Sequence, residues 1–126
     1  GNQLALHVLR RHRLVELFLV RIMGMDWSEV HEEAELLEHT VSERLIERMD
    51  EMLGRPQVDP HGDPIPTAGG EVEQPAAVSL LQCVTGERQR VVRVSDQRAE
   101  FLQLVEREGL KPGQELRVVD RVFSAE

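Results

Sequence analysis

From residue 4 to residue 23 the chain reads LALHVLRRHRLVELFLVRIM, with no Gly or Pro, and its second half is nearly continuous in Leu, Val, Phe and Ile. That pattern predicts one long, heavily buried helix. Gly24 follows, placed to end it in the left-handed conformation that glycine adopts at little cost. Asp26 is placed to cap a second helix, with Glu29 three residues on in a capping-box arrangement, and the pattern carries this helix to about His39. Ser42 is placed to cap a third helix, whose apolar residues Leu45, Ile46, Met49, Met52 and Leu53 recur at helical spacing before Gly54. Three helices joined by short loops predict an antiparallel bundle over residues 1–66.

Beyond Gly54 the periodicity breaks. Residues 54–77 hold five of the six prolines, which predicts a segment with an ordered start and a linker at residues 67–77. The stretches VSLLQCV, RVVRV and ELRVVDRVF then read as short strands, interrupted by a helix near residues 97–108 that Gly109 ends. A small SH3-like barrel over residues 78–126 is the natural closure, although its fourth and fifth strands are not evident in the pattern. The fold class expected is therefore α+β, a three-helix domain followed by a small β-barrel carrying one short helix.

Composition narrows the function. The 126 residues are 40% hydrophobic but only 3% aromatic, with no Tyr, so the core must come from Leu, Val, Ile and Met. A net charge of −8 works against sequence-independent affinity for nucleic acid, because phosphate binding needs clustered cations. Arg10, Arg11 and Arg13 are the nearest thing to such a cluster, and pairing with neighbouring carboxylates is the simpler expectation for them. Cys83 is the only cysteine, which rules out an intrachain disulfide or a CxxC zinc site and suits a small buried hydrophobe in a strand. No apolar run approaches twenty residues and no signal-peptide pattern is present, so a cytoplasmic location without membrane partners is expected.

The chemistry concentrates in VHEEAELLEHTV, residues 30–41. At ~100° per residue His31, Glu35, Glu38 and His39 share one helix face, beside an apolar stripe of Trp27, Val30, Ala34, Leu37 and Val41. On the first helix His12 and Glu16 stand at i and i+4, a spacing that lets both side chains point at one ion. Either set alone reads most simply as solvated surface or a weak ion pair. Two helices with compatible sets read better as a metal site, since a run of Glu repels itself unless a cation compensates it. Oxygen and imidazole ligands without thiolate favour Mn²⁺ or Fe²⁺. HEEAE is not the protease motif HExxH, because Glu35 replaces the second His. A carboxylate-bridged dimetal enzyme is the rival from another class, but neither helix has Glu three residues before a His. His7 and His61 read as structural or solvent-facing.

RHRLVELFLVRIMGMDWSEVHEEAELLEHTVSERLIERM, followed by DPHGDPIP, resembles the metal-binding and dimerisation domain of the diphtheria toxin repressor family, which includes the manganese transport regulators. The resemblance covers residues 11–66, with Asp63 where the family usually has Asn. It implies a transcriptional regulator, not an enzyme and without a small-molecule substrate, in which a divalent metal ties a DNA-reading winged helix to a helical homodimer. Many members add a C-terminal SH3-like domain, which residues 78–126 resemble. Carried over residue by residue, His12, Glu16 and His31 fall on the family's ancillary metal site, to which Gln97 and Glu100 look like the SH3-like domain's contribution. Glu35, Glu38 and His39 fall on its regulatory site. Glu35 stands where iron-sensing members carry Cys, which resembles the manganese-sensing branch and makes Mn²⁺ the first expectation and Fe²⁺ the second. Leu45, Ile46, Met49, Met52 and Leu53 are the expected dimer face. The winged helix is missing from this chain, so contact with operator DNA is expected through that N-terminal domain in a longer protein. A short paralogue that binds metal without DNA is the alternative.

Overall fold

The computed structural model describes residues 2–73 and 76–120. Three helices lead: α1 (Asn2–Arg21), α2 (Val30–Glu38) and α3 (Glu43–Met52). A 3₁₀ turn (Leu80–Gln82), strand β1 (Arg88–Arg90), helix α4 (Ala99–Arg107) and strand β2 (Glu115–Arg117) follow. The class is α+β, as the pattern predicts.

The punctuation of the helices is local chemistry. Gly24 takes φ 72°, which lets the Met25 N–H turn back onto the Leu19 carbonyl at 3.0 Å and close α1. The Ser42 hydroxyl accepts the Leu45 N–H at 3.2 Å and caps α3. The start of α2 differs from the expected capping box. Asp26 accepts the Ser28 N–H at 2.9 Å and holds a turn over residues 27–29, so the helix begins at Val30, with Glu29 at the cap making no side-chain bond.

α1 packs against both α2 and α3. Leu14, Val15, Leu17 and Leu19 form one core with Val30, Ala34, Val41, Ile46, Leu53 and Ile65. Ile46 and Leu53 are thus spent inside the chain and Met49 packs against the same core, whereas Leu45 and Met52 stay exposed, at 52% and 63%. Of the five residues of the expected dimer face, only these two project from it.

The arginines of α1 lock the bundle rather than face a phosphate. Arg10, 3% exposed, donates to Asp50 at 3.0 Å and reaches Glu47 at 3.5 Å. Arg11 donates to the carbonyls of Glu38 and Val41, satisfying the C-terminal end of α2 and complementing its dipole, and pairs with Glu43. Arg13 donates to the Pro64 carbonyl.

Residues 56–66 are more ordered than a proline-rich stretch suggests. Val58 bridges Pro64, and the Ile65 N–H reaches the Gln57 carbonyl at 2.8 Å. The Asp59 carboxylate accepts the N–H groups of His61 and Asp63, each at 2.9 Å, and tightens the loop tip inward. The linker expected at residues 67–77 carries no helix or strand among its described residues, though Thr67 and Glu71 close a turn with a 2.7 Å backbone bond.

The C-terminal lobe departs most from expectation. Residues 78–84, expected as a strand, make the 3₁₀ turn, with Cys83 buried beside it. β1 and β2 pair antiparallel in the register Arg88↔Arg117, Gln89↔Leu116 and Arg90↔Glu115. Past β1, the Val94 N–H bonds the His61 carbonyl at 2.9 Å instead of another strand. The described residues therefore hold a two-stranded sheet, not a closed barrel, and the end of ELRVVDRVF lies outside them. Trp27 supplies this lobe with its core, packed with Val94, Leu102 and Val105. No helix among the described residues is long and apolar enough to cross a membrane.

Gly62 marks the tightest contact between the loop and this lobe. Its φ is 87°, and a Cβ there would lie 1.9 Å from the Val92 carbonyl oxygen. Gly62→Ala is expected to cost at least about 2 kcal/mol, since backbone strain and overlap with a rigid carbonyl add. Protease digestion of residues 67–79 checks it: cleavage as slow as in the unaltered chain would contradict the tight docking. Arg10→Ala is expected to cost about 1.5–3 kcal/mol, because the buried Asp50 loses one of its two arginines and keeps Arg55 at 2.6 Å. Urea denaturation followed by circular dichroism reads that loss directly.

Candidate metal centre

α1 presents His12 and Glu16 one turn apart on the side that meets α2, and α2 presents His31 across from them. Glu16 is 1% exposed, buried by the same apolar residues that seat the helix. His12 Nε2 lies 3.2 Å from His31 Nδ1 and 3.4 Å from one Glu16 oxygen, and His31 Nδ1 lies 3.5 Å from the other. Ligand atoms held about 2.1 Å from one ion sit about 3.0–3.4 Å apart at right or tetrahedral angles. This spacing approaches that of a ligand set.

Proton positions strengthen this fit. His12 Nδ1 lies 3.2 Å from Glu38 Oε2, and in the tautomer that donates to this carboxylate the Nε2 lone pair is left toward Glu16 and His31. His31 Nε2 lies 3.5 Å from Glu35 Oε1, and the tautomer with its hydrogen there leaves the Nδ1 lone pair facing Glu16 and His12. In these tautomers two lone pairs and a carboxylate face one point, and Glu16 Oε2 has no hydrogen-bond partner. Such a point attracts a cation. A metal-ligating imidazole characteristically donates its other N–H to a carboxylate or carbonyl, which is the arrangement Glu38 provides. Burial by itself would lower the pKa of His12, but the Glu16 and Glu38 carboxylates outweigh it and hold the ring above its ordinary 6.5.

The remaining sequence candidates are spread out. Glu38 is nearly buried on His12, Glu35 is largely exposed, and His39 is 77% exposed, 4.0 Å from Glu38 Oε1. The three do not converge as His12, Glu16 and His31 do. Gln97 donates to Asp63 Oδ2 at 2.7 Å and Glu100 is exposed, so neither joins the group either.

Two potential ligands lie outside the sequence reading. Asp59 and His61, read as loop and as structural, are 4% and 1% exposed and group with Glu16 within 4.8 Å. The signal available was an acidic residue and an imidazole inside a proline turn, a weak one until that turn is known to fold inward.

Residues 1–67 match the family described as iron dependent repressor, metal binding and dimerisation domain. The iron-dependent repressor IdeR of Mycobacterium tuberculosis is 46% identical over 66 residues, 52% of this chain and 29% of the relative. The diphtheria toxin repressor of Corynebacterium diphtheriae is 32% identical over 132 residues, 96% of this chain and 58% of the relative. A solved manganese-dependent transcriptional repressor in complex with manganese superposes with a TM-score of 0.90 at 48% identity, covering 97% of this chain and 57% of that one. The T. acidophilum IdeR structure gives 0.85 at 33% identity, with 95% and 56% covered. The chain spans less than two thirds of the length of each of these relatives. On the match of residues 1–67, the chain belongs to the iron-dependent repressor family and carries its metal-binding and dimerisation domain.

Proposed function

We propose that this chain is the metal-responsive, dimer-forming part of a transcriptional regulator, loaded by Mn²⁺ or Fe²⁺. The observation that carries the reading is the convergence of the His12, His31 and Glu16 ligand atoms across α1 and α2, around a buried carboxylate oxygen with no hydrogen-bond partner. Nitrogen and oxygen donors without thiolate suit both ions, and Glu35 in the exposed row favours Mn²⁺. The bound ion supplies positive charge that joins the two helices. His12, Glu16 and His31 hold it, Glu38 and Glu35 fix the tautomers of the two imidazoles, and the apolar core sets the helix spacing.

Glu35, Glu38 and His39 are proposed as a second, regulatory set on α2, with Glu35 and His39 exposed and Glu38 nearly buried beside them, gathered only when further ligands meet them. Gln97 acts through Asp63, steadying the loop beneath the first site, and Glu100, in the first turn of α4, is the further carboxylate offered to it. Operator DNA is read by a part of the protein outside these 126 residues, and metal changes the affinity by coupling of about 1–3 kcal/mol, about 5–150-fold. The role is regulatory and not enzymatic. Leu45 and Met52, exposed on α3, begin the apolar surface that a second copy covers.

Calorimetric titration of the chain with Mn²⁺ tests the site. His12→Ala is expected to weaken one binding event, and Glu16→Gln at least one, by more than about 100-fold, beyond the effect of groups that only orient a ligand. Unchanged isotherms in both variants would refute the assignment. Because a proton competes for His12, whose pKa is held above 6.5, Mn²⁺ affinity is expected to fall as the pH drops through that raised value. The loss is about tenfold per unit for one displaced proton, levelling off on the alkaline side. A flat profile would mean that His12 is no ligand. For the dimer, Leu45→Glu combined with Met52→Glu is expected to leave a folded monomer by sedimentation equilibrium, and an unaltered mass would place the contact elsewhere.

A further inference from the structure

Behind the first site, the loop of residues 56–66 brings a second set of donors to Glu16. Asp59, His61 and Glu16 are all buried, and their ligand atoms lie within 4.8 Å of one another. Asp59 Oδ2, His61 Nδ1 and Glu16 Oε2 are each without a hydrogen-bond partner. His61 Nε2 lies 2.9 Å from the Trp27 carbonyl, which can only accept, so Nε2 carries the hydrogen. In the neutral ring the Nδ1 lone pair is then turned toward the Asp59 carboxylate, 3.9 Å away. That distance is too long for a hydrogen bond, yet it lies within the span of about 3–4.2 Å available to two ligands on one ion.

Two carboxylates and an imidazole lone pair facing each other, away from water, are unstable unless something positive lies between them. The site is also built as metal sites are. The N–H of His61 rests on a backbone carbonyl, its ring stacks on Trp27 at 5.5 Å, and the other Asp59 oxygen is anchored by two backbone N–H groups.

We propose that Glu16, Asp59 and His61 bind a second divalent transition-metal ion next to the one held by His12, Glu16 and His31, with the Glu16 carboxylate shared between the two. It rests on the function proposed above only through that shared carboxylate. The loop is thereby tied to α1 by metal, and the C-terminal lobe, which hydrogen-bonds the loop through His61 and Asp63, is tied with it.

The test is the number of Mn²⁺ ions held per chain after equilibrium dialysis, with folding checked by circular dichroism. Asp59→Asn keeps the oxygen that accepts the loop N–H groups and replaces only the free one; it is expected to bind one ion fewer than the unaltered chain. His61→Gln is expected to lose the same ion. His12→Ala is expected to lose a different ion, so the double variant with Asp59→Asn loses both. A full complement of ions in folded Asp59→Asn or His61→Gln overturns the proposal while leaving the His12 site standing, and loss in these but not in His12→Ala does the reverse. A readout without substitution uses Co²⁺ and proton NMR. The His61 Nε2–H resonance, shielded from exchange on the Trp27 carbonyl, is expected to move by tens of ppm on loading. Its staying at a diamagnetic position would overturn the proposal as well.

Discussion

A carboxylate buried in an apolar helix interface is the constraint around which this chain is organised. Glu16 sits between Val15 and Leu17, both core residues, and is as hidden as they are. A charge so placed must be compensated, because its desolvation costs several kcal/mol. The chain answers from three directions: His12 on the same helix, His31 across on α2, and the loop carrying His61 from beneath. Each imidazole has its outward nitrogen engaged by an acceptor, so it can offer its other nitrogen toward Glu16. A centre that gathers imidazole nitrogens around a buried carboxylate suits a proton or a divalent cation as the compensating charge.

The same residue explains the surrounding architecture. Holding Glu16 still requires α1 to be rigid against both of its partners, and the arginines beside it do this work. Arg10 is buried on Asp50 of α3, while Arg11 binds the carbonyls at the end of α2 that would otherwise be bare. A basic run that looks like a nucleic-acid patch is therefore consumed by contacts within a chain whose net charge is −8.

Connection to the C-terminal lobe runs through two residues with double roles. Trp27 packs in that lobe's core while its carbonyl holds the His61 ring. Gly62 lets the loop backbone approach residue 92 more closely than any side chain would allow. Charge at the Glu16 centre and packing of the C-terminal lobe therefore act on one loop of a few residues, a short physical path between two parts of the chain.

Much of the helical domain was legible in the sequence because its signals are local. The break-free run of α1, the Ser42 cap and the left-handed Gly24 each depend on residues within one or two turns, and the spacing of His12 to Glu16 places both on one face whatever else the chain does. Local signals were weaker where tertiary contacts compete. Asp26 was free to bond Ser28 instead of capping α2, and residues 78–84 have strand-like composition yet find no edge to pair with. Composition and spacing pointed to His12, Glu16 and His31 as candidate ligands but not to Asp59 and His61. Only the tertiary structure decided which lone pairs meet, because that depends on a loop dozens of residues away in sequence folding beneath Glu16, and no pattern of period 2 or 3.6 encodes it.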